Sequence, residues 1–457
     1  MSKSRLKEDK MGTKNISSLL LEFSIPAMIG MMVNAIYNIV DRIFIGNAPH
    51  LGATGLAAAS ITYPVTLILL SFGLLVGVGA ATLFSISLGK KEAKKAENYL
   101  GQAVTLSIIA GIIFMVFGNI LIRPLLTTLG ASPEVLPLAE GYLSIILYGG
   151  VFQIIAIVLN NIVRADGAPK VTMVSMLIGA GFNIFFDYIL IILLGWGMEG
   201  AALATVGGQF LSMIWQFNYF FNGKSQVKFK FRNMKLSPDI TWDIIRVGTP
   251  AFLLQLANSF MTIMMNAQLV KYGGDVAVSV AGIVTSASTM VLMLISGLRQ
   301  GMQPLISYNT GARKQDRVKE TLLKGSIAGT VIALIGFVVI QLFPEFVIRL
   351  FNQDEAVLAI GVPAIRIWAI SFPLDGVQMV WSGYFQAIGE VRLASFLNLL
   401  RQVIFLVPIL FLLGPIFGLY GIFFSFPIAG ILAAIVTGYF MWDRFIKKSQ
   451  PWTNTLV

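Results

Sequence analysis

From Gln402 to Trp442 the chain runs 41 residues without a charged side chain, broken only by Gly414-Pro415. About 20 apolar residues in a helix cross the hydrocarbon core of a bilayer, so this stretch holds two crossings joined by a tight turn. The rest of the chain is of the same kind. Of its 457 residues, 56% are apolar and 12% charged, against roughly 45 to 50% and 25% for a soluble domain. The chain therefore reads as a polytopic membrane protein with no room for a soluble domain of useful size.

Segmentation by hydrophobicity gives twelve spans, roughly 17 to 45, 54 to 88, 99 to 122, 136 to 161, 171 to 194, 199 to 221, 241 to 270, 277 to 309, 321 to 343, 357 to 387, 393 to 413 and 417 to 442. The basic N-terminus, MSKSRLKEDKMGTK, has no apolar signal core, and the segment after it is too long for one, so it is taken as the first span. A net charge of +11 raises the prospect of a nucleic-acid partner, which the location of the charges decides against. The odd-numbered loops hold only Arg123, Lys271 and Arg349, and Arg42, Arg246, Arg299, Arg366 and Arg401 lie inside spans. The remaining Lys and Arg gather at the termini and around the even-numbered loops. By the positive-inside rule, both termini and the loop 222 to 240 face the cytoplasm of a multi-pass plasma-membrane protein. No nucleic acid and no obligatory protein partner are implied.

Several classes of chemistry are excluded. The chain has no cysteine and a single histidine, His50 in a loop, which removes disulfides, thiol nucleophiles and zinc or triad chemistry built on Cys or His. No GxxxxGK[ST] phosphate loop is present, so ATP is not the direct energy source and no cofactor is expected. Transport by such a chain has to run on an ion gradient.

The polar loop NGKSQVKFKFRNMKLSPD divides the chain, and the sequence repeats on either side of it. Pro26 and Pro250 stand 224 residues apart, as do Asn34 and Asn258, Gly73 and Gly297, and Gly77 and Gly301. The offset falls to 222 at Gly89 and Gly311 and at Gly167 and Gly389, then to 221 at Gly200 and Gly421. Slow drift of this kind follows from loop-length changes in a duplicated unit. The expected fold is all-α, with twelve transmembrane helices in two pseudo-symmetric six-helix lobes: residues 1-221, a cytoplasmic linker 222-240, and residues 241-457. Six helices per repeat relate the lobes by an axis along the membrane normal and put the substrate path near their interface, which suits alternating access.

Intramembrane polar residues are the candidates for function. Pro26 removes a backbone hydrogen bond about ten residues into span 1 and marks a kink or hinge. Asn34, Tyr37, Asn38 and Asp41 recur at helical spacing on one face of that span, and Asn183 and Asp187 share a face of span 5. Counted from the outer surface, Asp41, Asp187 and Thr205 of span 6 fall at one level, where two carboxylates, an amide and a hydroxyl form a proton or cation site. Two close carboxylates in low dielectric cannot both stay ionised cheaply. The plainer reading makes Asp187 a packing acid satisfied by Asn183 and Thr205. Intramembrane acids are more often functional.

The second half lacks this pair, since the offset carries Asp41 to Met265 and Asp187 to Ile409. It offers Gln255, Asn258, Thr262 and Asn266 on its first span, and one acid, Asp375, for substrate or proton contact or for pairing with Arg366 or Arg401. The 19 Met and 33 Phe include enough adaptable apolar surface for a promiscuous pocket, although most must face lipid or core.

NAIYNIVDRIFIG after Pro26, FGLLVGVGAATLFSISLGKKE, RADGAPK, the NIFFD pair and PLISYNTGARK together resemble the multidrug and toxic compound extrusion (MATE) family over nearly the whole chain, and its bacterial multi-antimicrobial extrusion branch most closely. The resemblance implies antiport of cationic or amphipathic drugs against protons or sodium. It also implies a cation site of Asp41, Asn183, Asp187 and Thr205, with Asn160 sometimes included, and a coupling movement by bending of span 1 at Pro26. A branch of the family with an acid on span 7 would have a Glu near Asn258, which is absent here, whereas Asp375 matches that branch's span 10 acid. The rival functions are a flippase for a lipid-linked saccharide or cell-wall precursor, which calls for a more cationic cavity, and an intramembrane enzyme using the aspartates as an acid and base pair.

Overall fold

The computed structural model describes residues 10–48, 51–351 and 353–444; His50 and both chain ends lie outside them. Helices dominate the described residues, and no strand occurs among them. In chain order the long ones are α1 (Ile16–Asn47), α2 (Thr54–Gly89), α3 (Ala93–Ile120), α4 (Val135–Ala165), α5 (Pro169–Leu193), α6 (Gly197–Phe221), α7 (Pro238–Gly274), α8 (Val276–Gly311) and α9 (Gln315–Leu342). A bent pair, Val357–Ala369 and Phe372–Ala387, makes α10, and Val391–Trp442 completes the bundle. That last segment has 52 residues, about 78 Å of helix at 1.5 Å per residue. It must cross twice, and it breaks at Gly418 into α11 and α12. Twelve crossings result, as expected from the hydrophobic segmentation.

Three boundaries differ from the sequence expectation. The chain reverses between α11 and α12 at Gly418, not at Gly414-Pro415: Gly418 has a φ of 58°, whereas Pro415 sits within the helix. Reversal needs a left-handed residue, which glycine supplies without a steric penalty and proline cannot. Gly274, with a φ of 62°, makes the matching break between α7 and α8. Helix α4 continues past residue 161 to Ala165, because no helix breaker precedes Gly167 at φ 89°. It therefore carries Arg164 inward as a buried residue. Span 10 is two helices bent by 47°, with Pro373 in the first turn of the second, where proline is tolerated.

The two halves meet in the part of the bundle nearest the linker. Gly248 of α7 lies against the Leu75 backbone of α2, and Gly79 of α2 against that of Ile244. Gly297 and Gly301 of α8 admit the backbones of Met28 and Ser24, which flank Pro26 in α1. Small residues allow helix backbones this close, which is how helices gain packing contact in lipid. Helix α1 runs through Pro26 as one continuous helix. Polar contacts follow the same distribution. Ser85 Oγ donates to the Pro304 carbonyl at 3.0 Å, Gln303 Nε2 to Thr82 Oγ1 at 2.9 Å, and Arg164 to Gln300 Oε1 at 2.5 Å. A cavity of about 10 Å³ beside Arg164, Gln300 and Gln303 has room for no more than a water molecule. Among the described residues, no inter-half hydrogen bond is formed toward the far end of the bundle.

The linker is tied to the first half. Asp166 accepts from the Tyr219 hydroxyl at 2.5 Å and from the Gln226 backbone N–H at 3.2 Å. Thr105 Oγ1 donates to the Met234 carbonyl at 2.7 Å.

Candidate cation site

Helix α1 carries an apolar sequence interrupted every three or four residues by a polar one, so its polar atoms line up along one face. At the far end of that face Asp41 meets Asp187, which the Asn183–Asp187 spacing turns inward from α5. The two carboxyl groups lie close enough to act on each other directly. Asp187 and Asn183 are buried, with exposures of 0% and 2%. Asn183 Nδ2 donates to Thr205 Oγ1 of α6 at 3.2 Å. The structure thus gathers Asp41, Asn183, Asp187 and Thr205 from α1, α5 and α6.

The hydrogen bonding bears on the plainer, packing role of Asp187. Asn183 gives its amide proton to Thr205, and both Asp187 oxygens, with Asp41 Oδ1 and Asn183 Oδ1, are buried and accept nothing from the protein. These are four buried acceptor oxygens on three residues, none of them met by a donor. Arg42 does not supply one, since its guanidinium lies over the Tyr63 ring, 5.8 Å from the centroid. An unmet buried acceptor costs about 1 to 3 kcal/mol, more when charged. A proton shared by the carboxyls, or an oxygen-seeking cation such as sodium, would remove that penalty. Among the described residues no group of three His, Cys, Asp or Glu stands close enough to hold a metal ion, so the donor set is the acid pair with its amide and hydroxyl.

Tyr37, one helical turn before Asp41, belongs to this neighbourhood, and so does Tyr142 of α4, within electrostatic reach of both carboxylates. Tyr142 gave no signal in the sequence, being one of 12 tyrosines and sharing no polar spacing with the acids.

Asn160 does not join the site. It occupies the other end of α4 from Tyr142, about 27 Å away at 1.5 Å per residue. There its Oδ1 accepts from Arg164 at 2.5 Å. Arg164 is 3% exposed, and its guanidinium bridges to Gln300 and Asn160, both neutral. Asn38 turns back on its own helix, donating to the Asn34 carbonyl at 2.7 Å. Asn34, Gln255 and Asn258 are half-buried and make no hydrogen bond to the acid pair.

Asp375 has a different environment. It is fully buried in the first turn after the α10 bend. Its Oδ2 accepts from Ser371 Oγ at 2.9 Å and pairs with Arg401 Nη2 at 3.1 Å. Of the two arginines considered from sequence, Arg401 is the partner. The other oxygen points at Gly430 of α12, where a Cβ would come within 2.7 Å.

The MatE family model matches residues 26–189 and again 250–412, one match on each half of the repeat. Multidrug export protein MepA of Staphylococcus aureus (strain MRSA252) is 30% identical over 430 residues, covering 93% of this chain and 94% of that protein. A solved structure described as the outward-facing conformation of a multidrug resistance MATE family transporter of the MOP superfamily superposes with a TM-score of 0.90 at 26% identity, over 95% of this chain and 96% of the other. Another, of MATE in the bent conformation, gives 0.89 at 27% identity over 97% of each chain.

Proposed function

Because the chain belongs to the MatE family of membrane transporters, not enzymes, we propose that it exports cationic or amphipathic organic compounds from the cell in exchange for protons or sodium ions taken up between Asp41 and Asp187. One observation carries the ion half of this reading: four buried acceptor oxygens of Asp41, Asn183 and Asp187 have no hydrogen-bond donor. The export half draws support from the likeness to MepA along 93% of the chain.

The charge distribution favours a cytoplasmic linker, 222 to 240, and cytoplasmic termini, with residues 1-221 and 241-457 as the two moving lobes. The contacts at the linker end then form the cytoplasmic seal, and the acid pair lies on the outward side of it. An ion arriving from outside neutralises the pair, and the helices bearing Asp41 and Asp187 close on it and displace the drug. Reopening toward the cytoplasm delivers the ion, and drug binding resets the cycle. The ion drives this equilibrium only by its difference in affinity for the two states.

Pro26 suits a hinge in this cycle. It lacks the N–H that would bond the Glu22 carbonyl, and it sits where α1 crosses Gly297 and Gly301 of the opposite half. Movement there would shift Tyr37 and Asp41 relative to α5. Asn34, Asn38, Gln255 and Asn258 remain candidates for drug contact, as does Asp375 in a state that separates it from Arg401.

The test is dye efflux from proteoliposomes under an imposed proton gradient and, separately, an imposed sodium gradient. One of the two is expected to drive efflux by the wild type and to fail with Asp187→Asn. Efflux under neither gradient, or normal coupling in the variant, would overturn the assignment.

A further inference from the structure

The linker closes one end of a groove on the wall of the first half, away from the acid pair. The groove has a volume of about 910 Å³ and lies between α3, α4 and α6, with Ile108, Ile155 and Leu211 along its walls and Phe221, Phe229 and Phe231 at its linker end. Its one polar amide, Asn218, already accepts from Asn222 at 2.7 Å. From Phe221 to Leu211 it extends about 15 Å along α6, half of the roughly 30 Å hydrocarbon core. The depth is that of a single leaflet.

The rim carries the opposite chemistry. In Lys228-Phe229-Lys230-Phe231-Arg232 the cations alternate with the aromatics. Phe229 is half-buried against Phe217 and Phe221, while Lys228, Lys230 and Arg232 are exposed. Lys230 pairs with Glu97 at 2.5 Å. Among the described residues, the side chains of Lys228 and Arg232 meet no carboxylate, so two exposed cations adjoin the aromatics that line the linker end of the apolar slot. A ligand that matches both has a long apolar tail and an anionic head.

We propose that this groove holds an acyl chain of an anionic glycerophospholipid of the inner leaflet, with its phosphate on Lys228 and Arg232. Basic segments at the cytoplasmic surface attract such lipids, whereas the cationic compounds proposed for export would be repelled by the same rim. The leaflet assignment rests on the cytoplasmic placement of the linker proposed above. The groove and its rim stand without it.

The experiment is native mass spectrometry of the full-length protein equilibrated with equal amounts of phosphatidylglycerol and phosphatidylcholine bearing identical chains. Several-fold preferential retention of phosphatidylglycerol is expected. The preference should vanish in Lys228→Gln with Arg232→Gln, and Ile155→Trp, which fills the slot, should lower retention of both lipids while the melting temperature holds. Equal retention of the two lipids by the wild type, or a preference that survives loss of both cations, would overturn the proposal. So would displacement by soluble glycerol 3-phosphate as effective as by the lipid, which would assign the site to the headgroup alone. The readout is binding, so its failure leaves the export reading standing, and normal ion coupling in Asp187→Asn, which would overturn the ion assignment, leaves this one standing.

Discussion

The two halves of this molecule each bury acid within the membrane, and they neutralise it differently. In the second half Asp375 has a resident counter-charge, Arg401 at 3.1 Å, with Ser371 donating at 2.9 Å. In the first half Asp41 and Asp187 face each other, and the nearest guanidinium, that of Arg42, lies over an aromatic ring. A carboxylate with a permanent partner is a closed electrostatic unit that stabilises one arrangement of its helices. A pair without one needs a mobile partner, which makes it sensitive to what the solution supplies. Duplication gave both halves the same scaffold, and in the proposed reading the exchangeable cation belongs to the first.

That contrast breaks most visibly through stability. Asp375→Asn leaves the half-buried Arg401 without its counter-charge and should destabilise the protein by up to about 3 kcal/mol, the lower end of the penalty for breaking a buried ion pair. Thermal unfolding in detergent should show it, with much of the loss regained in Asp375→Asn with Arg401→Met. Asp187→Asn should leave the melting temperature unchanged or raise it, because it removes a like charge.

A methyl group tests the same corner more gently. Gly430→Ala would put a Cβ at 2.7 Å from Asp375 Oδ1 and 2.9 Å from Ser371 Cβ, and overpacking of this kind costs about 1 to 3 kcal/mol. An unshifted melting curve would mean that α12 moves aside freely.

In transport the order reverses. Asp187→Asn should lower gradient-driven efflux about tenfold or more, a change of at least about 1.4 kcal/mol, measured as initial rate in proteoliposomes. Thr205→Val deletes the acceptor for Asn183 and should weaken activation by the coupling ion several-fold, in keeping with about 1 kcal/mol for one hydrogen bond. Asn160→Ala, at the far end of α4 from the pair, should leave the ion dependence unchanged. A loss of coupling there equal to that of Asp187→Asn would mean that Asn160 visits the site in another state.

Much of this was legible in the sequence because membrane helices are governed by two simple periodicities, the length of a crossing and the turn of a helix. The first gave twelve crossings, and the offset between Pro26 and Pro250 gave the repeat. The second put Asp41, Asn183, Asp187 and Thr205 at one level. What escaped lay where a local rule misleads. Arg164 looks like a loop cation by the positive-inside rule, yet the helix continues through it and buries it against Asn160 and Gln300. Gly414-Pro415 looks like the turn between the last two crossings, yet the chain reverses at Gly418. The partner of Asp375 was undecidable because Arg366 and Arg401 lie on different helices, and only packing chooses between them.

The most direct test is the amount of coupling ion released on drug binding. Detergent-solubilised protein would be mixed with a saturating cationic dye while a pH indicator follows proton release and radiolabelled sodium follows release of that ion. One ion per protein is expected from the wild type and from Asp375→Asn, and none from Asp187→Asn. Release from Asp187→Asn equal to that of the wild type, or no release from the wild type, would contradict an exchangeable cation between Asp41 and Asp187.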